Sequence, residues 1–138
     1  MTLKFSYIFK NNYYTVEMFL SDKLIGQCQI ITFENIYILD SFWVKKKFHN
    51  CGYGQKLFDF CLKIYNLITD QKPLVLIVHN LLLSAIHIYR KYGFVEINDP
   101  IKFQYIDQYY NTGFYNNGFL TMIYNQPNID SNILFEKV

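Results

Sequence analysis

The chain has a single arginine, Arg90, among 13 basic residues, and only 17% of its 138 residues are charged. A formal net charge of +2 is too small for a strongly cationic surface, which argues against nucleic acid as the main partner. Cysteine is also scarce. Cys28, Cys51 and Cys61 are odd in number, show no C-x-x-C spacing and have no histidine at zinc-ligand distance. Neither a disulfide framework nor a metal site is therefore expected, and a reducing, cytoplasmic setting is the natural one. Nowhere do eighteen apolar residues follow one another, and the first ten residues hold no clean apolar run before a cleavage site. A soluble intracellular protein with no membrane contact is the expectation.

What is present is apolar. Hydrophobic residues make up 51% of the sequence and are spread along its whole length, which excludes global disorder. The length fits a single domain, residues 1–138. Lys, Asn, Ile, Phe and Tyr abound, as in AT-rich coding, so the 13 tyrosines and 13 phenylalanines need no functional explanation one by one.

From Leu3 to Val44, β-branched and aromatic residues are broken at Lys10–Asn12, Ser21–Lys23 and Glu34–Asn35. The pattern predicts an antiparallel meander with strands near Leu3–Phe9, Tyr13–Leu20, Leu24–Phe33 and Ile36–Val44. After Gly54 the period changes. Leu57, Phe60, Cys61, Ile64 and Ile68 form one helical face, and Lys56, Asp59, Lys63 and Asn66 the other. Asp70–Pro73 ends this helix, and Leu74–Val78 follows as a short apolar run, the form of a strand covered on both faces. Strand, helix and strand in that order suggest a right-handed parallel crossover. A second helix is expected over Leu82–Tyr92, with Leu82, Ala85, Ile86 and Tyr89 as its stripe and Gly93 as its stop. Phe94–Ile97 and Phe119–Tyr124 read as late strands. The tyrosine-rich stretch between them reads as a functional loop or hairpin tip, and the tail after Gln126 as an edge strand or a loose end.

The chemistry-bearing segment is Val44-Lys-Lys-Lys-Phe-His-Asn-Cys-Gly-Tyr-Gly54, between a predicted strand and a predicted helix. A G-x-G at such a turn lets the backbone approach a ligand and aims free amides and the positive helix end at phosphate oxygens. Leu57 stands where the dinucleotide fingerprint has its third glycine, and no Gly-Lys-Ser/Thr motif is present. His49-Asn-Cys-Gly-Tyr-Gly54 resembles the Arg/Gln-x-x-Gly-x-Gly/Ala loop of the GNAT acetyltransferase superfamily except at its first position. Ala85-Ile-His-Ile-Tyr-Arg-Lys-Tyr-Gly-Phe94 resembles the superfamily's A-x-x-x-Y-x-x-x-G-F stretch at all its marked positions. The register before the loop is most similar to polyamine and diamine acetyltransferases. Only about forty residues precede Val44, too few for the two helices that usually follow the first strand.

The resemblance implies an α/β fold of the α+β, mixed-sheet kind, mostly antiparallel and splayed between the strand ending at Val44 and Leu74–Val78, with a shortened N-terminal helical region. It implies transfer of the acetyl group of acetyl-CoA to a primary amine, either a small amine such as a polyamine or a lysine or N-terminal amine, with no metal. The main chain at Trp43 and Val44 would pair with the pantetheine arm, and amides of His49, Asn50, Cys51, Gly52, Tyr53, Gly54 and Gln55 would hold the pyrophosphate. Asn80 lies two residues before the family's cofactor-binding asparagine position, here Leu82. Asp40 is the candidate base, with an ordinary solvated carboxylate as the plain alternative and Glu34 as fallback. Tyr89, which could otherwise be simply core, would protonate the departing thiolate.

The remaining candidates are ordinary. Lys45–Lys47 reads as solvated surface that could attract adenosine phosphates. His79 and His87 read as structural or surface histidines, and Cys51 as a tolerated small residue in the loop. Glu17, Asp22 and Asp107 would suit a cationic acceptor. Two other functions stay open: a non-catalytic acyl-CoA-binding regulatory or scaffold protein, and a nucleic-acid-binding module stacking bases on Tyr109 and Tyr110. Exposed strand edges could support a homodimer.

Overall fold

The computed structural model describes residues 2–33, 36–68, 72–97 and 118–124. The stretches holding Glu34, Asp107, Tyr109, Tyr110 and the tail after Gln126 lie outside them. Among the described residues, seven strands and two α-helices make a mixed α+β fold. The strands are β1 (Leu3–Lys10), β2 (Tyr13–Leu20), β3 (Lys23–Phe33), β4 (Ile36–Val44), β5 (Leu74–His79), β6 (Phe94–Ile97) and β7 (Phe119–Tyr124). The helices are α1 (Tyr53–Leu67) and α2 (Leu83–Lys91). They group into two compact units, residues 1–32 with 38–70, and residues 33–37 with 71–138.

In the first unit the strands run in the order β1-β2-β3-β4. Two hairpins build it, each closed by two residues. Lys10 pairs with Tyr13 and Leu20 with Lys23. Asn11 and Asn12 have φ of 56° and 69°, and Ser21 and Asp22 have 50° and 68°. Positive φ at both central positions matches the right-handed twist of the flanking strands, and short polar side chains tolerate it. The first hairpin leaves no room for helices between β1 and β2, as the short N-terminal half suggests. Among the described residues β1 pairs only with β2, and its Tyr7, Ile8 and Phe9 are exposed.

Alternation puts Val16, Met18 and Leu20 of β2 and Cys28 and Ile30 of β3 inside. The helix α1 covers that face with Leu57, Phe58, Cys61, Leu62, Ile64 and Tyr65, and each fully buried aliphatic or aromatic side chain contributes about 1.5–3 kcal/mol. The stripe differs from the predicted one. Phe58, Leu62 and Tyr65 are buried, whereas Phe60 sits at the margin, stacked on Phe5 of β1 at 4.7 Å, and Ile68 is the C-cap. A helix lying on a sheet buries a wider face than a single i, i+3, i+4 row supplies. Gly26 of β3 is where the layers come closest: a Cβ there would lie 2.9 Å from Met18 Cε, 3.1 Å from the Trp43 carbonyl and 3.2 Å from Leu57 Cδ2.

Cys28 and Cys61 form a disulfide between β3 and α1, at 0% and 1% exposure. This corrects the expectation that the cysteines make no disulfide framework. Spacing along the chain is silent about two cysteines 33 residues apart whose inward faces meet.

In the second unit β5 and β6 both pair antiparallel with β7, through Val75 opposite Ile123 and Phe94 opposite Tyr124. Leu74, Val75, Leu76 and Val78 are buried, as a doubly covered strand requires. The start of β4 belongs here too, where the Tyr37 amide donates to the Pro73 carbonyl at 2.8 Å. Gly93, at φ 99°, ends α2 as predicted, and its amide donates to the Arg90 carbonyl at 3.1 Å. Of the predicted α2 stripe only Ile86 is fully buried. Ala85 and Tyr89 are half-buried, and Leu82, the N-cap, is 56% exposed. Among the described residues, no helix is long and apolar enough to cross a membrane.

Candidate functional site

At the end of β4 the Lys45 amide donates to the Ile25 carbonyl at 2.8 Å, fixing the point where the chain leaves the sheet. A 3-10 turn over Lys46–Phe48 follows, held by Phe48 N–H to Lys45 O at 2.9 Å and His49 N–H to Lys46 O at 3.1 Å. Asn50 and Gly52 then take positive φ, 63° and 83°, and α1 begins at Tyr53. Among the described residues no side chain caps α1, and its first turn holds no acidic residue. Among the described residues, the amides of Gly52, Tyr53, Gly54 and Gln55 have no hydrogen-bond acceptor. A Cβ placed on Gly54 would meet nothing within 4 Å, so open space lies beside these amides. Four free donors at a helix start, where the dipole amounts to roughly half a positive charge, make an anion seat.

Lysines flank it along the chain. Lys45, Lys46 and Lys47 are exposed, Lys47 Nζ lies 5.2 Å from the Phe48 ring, and Lys56 Nζ lies 5.8 Å from the Tyr53 ring. Phe48 and Tyr53 meet edge to face at 5.8 Å across the turn. His49 Nε2 donates to the Val44 carbonyl at 2.7 Å. The exposed Cys51 thiol donates to the His49 carbonyl at 3.4 Å. Neither the His49 bond nor the positive φ of Asn50 was visible in the motif. The liking of asparagine for the left-handed region was the one signal available.

Asp40, Phe42 and Val44 are half-buried while Ser41 and Trp43 are exposed. Between them Ser41 takes φ 52°, an irregularity no pattern announced. Asp40 Oδ1 accepts from the Ser41 amide at 2.8 Å, so the carboxylate already helps hold the strand's shape. Trp43 turns its carbonyl towards Gly26, and Phe42 packs edge-on against Phe58 of α1 at 5.8 Å. Asp22 pairs with Lys4 at 3.6 Å on the hairpin surface, and Glu17 is half-buried in β2.

The second unit carries the other two candidates. Tyr89 packs 6.1 Å from Phe94, and burial raises its phenol pKa above the ordinary 10.0. The next residue, Arg90, pairs with Glu96 of β6 at 3.8 Å. Asn80 is exposed at the turn after β5, where its amide donates to the Gly118 carbonyl at 2.8 Å and its side chain lies against Gly118. His79 Nδ1 accepts from the Leu81 amide at 3.2 Å, and its ring meets Phe119 at 5.1 Å, a structural arrangement. His87 is exposed on α2.

Among the described residues no three His, Cys, Asp or Glu side chains gather as a metal site. A cavity of about 80 Å³ lined by Tyr7, Tyr14, Ile64, Leu67 and Ile68 lies at the other end of α1 from the anion seat.

The family model described as an acetyltransferase (GNAT) domain matches residues 10–96. A search of curated protein sequences gives no match. Among solved structures, the chain is similar to an acetyltransferase of the GNAT family from Streptococcus pneumoniae at 26% identity and TM-score 0.58, covering 64% of this chain and 55% of that one. It is similar to the PaiA N-acetyltransferase of Thermoplasma acidophilum in complex with coenzyme A at 16% identity and TM-score 0.62, covering 83% and 62%. A Bacillus anthracis structure in complex with acetyl coenzyme A has 19% identity and TM-score 0.61, covering 85% and 64%. The chain thus spans less than two thirds of each of these structures' own chains.

Proposed function

Because the chain belongs to the GNAT acetyltransferase family, we propose that it works as a single acetyltransferase domain that binds acetyl-CoA and moves the acetyl group directly to a primary amine. The observation that carries this reading is the set of unpaired amides from Gly52 to Gln55 at an uncapped, acid-free helix start. A diphosphate matches it in charge and in acceptor geometry. The two relatives that hold coenzyme A or acetyl coenzyme A support the choice of ligand.

The chemistry follows from the thioester. An amine enters as ammonium, loses a proton, and its lone pair attacks the acetyl carbonyl carbon. The tetrahedral intermediate then expels the CoA thiolate, which takes a proton to leave as thiol, while the nitrogen gives up its remaining extra proton to the resulting Tyr89 phenolate, directly or through water, and so becomes the neutral amide. Asp40 takes the first proton, directly or through water, and Tyr89 supplies the one the thiolate takes. Tyr89 suits that task because burial keeps its phenol protonated to high pH. Orientation of thioester and amine carries much of the rate, and each proton transfer adds about 10²–10⁴-fold. The main chain of Trp43 and Val44 holds the pantetheine arm, Asn80 lies along the cofactor, and Lys45–Lys47 draws the adenosine phosphates. The acceptor is a small amine such as a polyamine, or a lysine or N-terminal amine. The cytoplasm is the location such a co-substrate calls for, and burial shelters the Cys28–Cys61 bond from thiol reductants there.

One observation favours a non-catalytic acyl-CoA binder instead: the two-residue Asn11–Asn12 connection leaves the chain without helices between β1 and β2. A mass-spectrometric screen of amines, amino acids and peptides with acetyl-CoA separates the two readings. An acetylated product supports the transferase, and tight CoA binding without any product supports the binder. Gly54→Glu, which sets bulk and negative charge at the anion seat, is expected to abolish CoA binding in calorimetry. Unchanged affinity would overturn the loop assignment.

A further inference from the structure

An anion seat made of main-chain donors binds well only if its conformation exists before the ligand arrives, because ordering a loop on binding subtracts from affinity. The stretch from Val44 to Tyr53 is poorly placed to order itself. Its 3-10 turn is three residues long, two positive-φ residues follow, and α1 has no side-chain cap. Among the described residues, one side chain reaches from this stretch back to β4. His49 Nε2 lies 2.7 Å from the Val44 carbonyl, spanning five residues over the top of the turn.

The acceptor is a carbonyl, so the ring nitrogen facing it carries the proton. The bond closes a loop that the two main-chain bonds of the 3-10 turn close only in part. It fixes the last strand residue against the residue that immediately precedes the positive-φ pair. The imidazole is thereby committed to the chain's own carbonyl, while the donors offered to an anion are the amides that follow.

We infer that His49 is a positioning residue, a side-chain latch on the Val44 carbonyl that holds the Gly52–Gln55 amides in their anion-binding conformation. The inference rests on the acetyl-CoA reading and goes beyond it, by assigning the role to a bond between side chain and main chain rather than to a contact with phosphate. Val44 stays in the sheet without the latch, because the next amide, Lys45, is bonded to Ile25, so removing the latch costs affinity for the diphosphate far more than for the pantetheine arm.

The test uses the full chain and two ligands: CoA, measured by calorimetry, and pantetheine, which lacks the diphosphate, measured by NMR titration. His49→Ala is expected to weaken CoA about threefold to tenfold, the range one net hydrogen bond supports, and to leave pantetheine within about twofold. His49→Asn keeps a polar side chain too short to reach Val44 and should behave as His49→Ala does. His49→Gln carries an N–H donor of sufficient reach and should recover most of the loss. Unchanged CoA affinity in His49→Ala and His49→Asn would overturn the inference. Equal losses for both ligands, with a lowered melting temperature, would overturn it in favour of general stability. A His49→Gln variant as weak as His49→Ala would overturn it in favour of a direct imidazole–phosphate contact. If the unaltered chain binds no CoA, the acetyl-CoA reading falls first and takes the latch with it.

Discussion

Asp40 and Tyr89 each combine a structural task with the chemical one proposed for them, and substitutions can separate the two. Asp40 Oδ1 accepts from the Ser41 amide where the strand takes φ 52°, and an asparagine oxygen can accept that same bond without being able to take a proton. Asp40→Asn should therefore keep its melting temperature and its CoA affinity while turnover falls about 10²-fold or more. An unchanged rate and pH–rate profile would remove Asp40 from the mechanism. Tyr89 has a raised pKa because burial disfavours its phenolate. The sign follows: the neutral phenol's contribution to stability is complete below the unfolded value near 10.0 and is lost as pH rises above it towards the folded value. Tyr89→Phe should lower turnover and flatten the fall in stability above pH 10, read as denaturant midpoints across the alkaline range. Sequence pointed to both residues, Tyr89 by its place in the stretch closed by Gly93 and Asp40 as a carboxylate inside an apolar strand four residues before Val44. It could not point to Ser41 or to the His49–Val44 bond, because these depend on how a strand bends and where a ring turns.

At the level of elements, most of the architecture was legible because turn chemistry and periodicity agree. Asn-Asn and Ser-Asp mark the two hairpins, Gly93 stops α2, and the run from Leu74 is apolar on both faces. Less legible was which residues of a helix point inward. The phase of α1 was read from one row of apolar residues, yet Phe58 and Leu62 also face the sheet. The contribution of Gly26 was invisible for the same reason, since it depends on Met18, Trp43 and Leu57 arriving from three other elements. Gly26→Ala should destabilise the chain by about 1–3 kcal/mol. Denaturant unfolding checks this, and a stability equal to the parent's would mean that the sheet and α1 separate more easily than their close approach implies.

For the molecule as a whole, the informative mismatch between sequence and structure is the Cys28–Cys61 bond. Odd cysteine number and irregular spacing describe a chain laid out in a line, whereas pairing is decided by which faces a fold turns inward. Alkylation of the denatured chain without reductant is expected to label one thiol, Cys51, and reduction should expose all three. Three labelled thiols without reductant would show that the bond does not form. Closing a loop of this length restricts the unfolded chain by roughly 3–4 kcal/mol, so reduction should lower the unfolding midpoint. The first strand carries a different kind of consequence. An antiparallel copy centred on Tyr7 of β1 would set the Lys4 of each copy against the Lys10 of the other, and like charges directly opposite resist pairing, although the exposed Asp22 offsets part of the Lys4 charge. That repulsion reaches about 10 Å at 0.1 M salt and only about 3 Å at 1 M. The colloidal behaviour of concentrated samples is thus tied to ionic strength through two lysines, which stand guard at the ends of a strip of exposed Tyr7, Ile8 and Phe9.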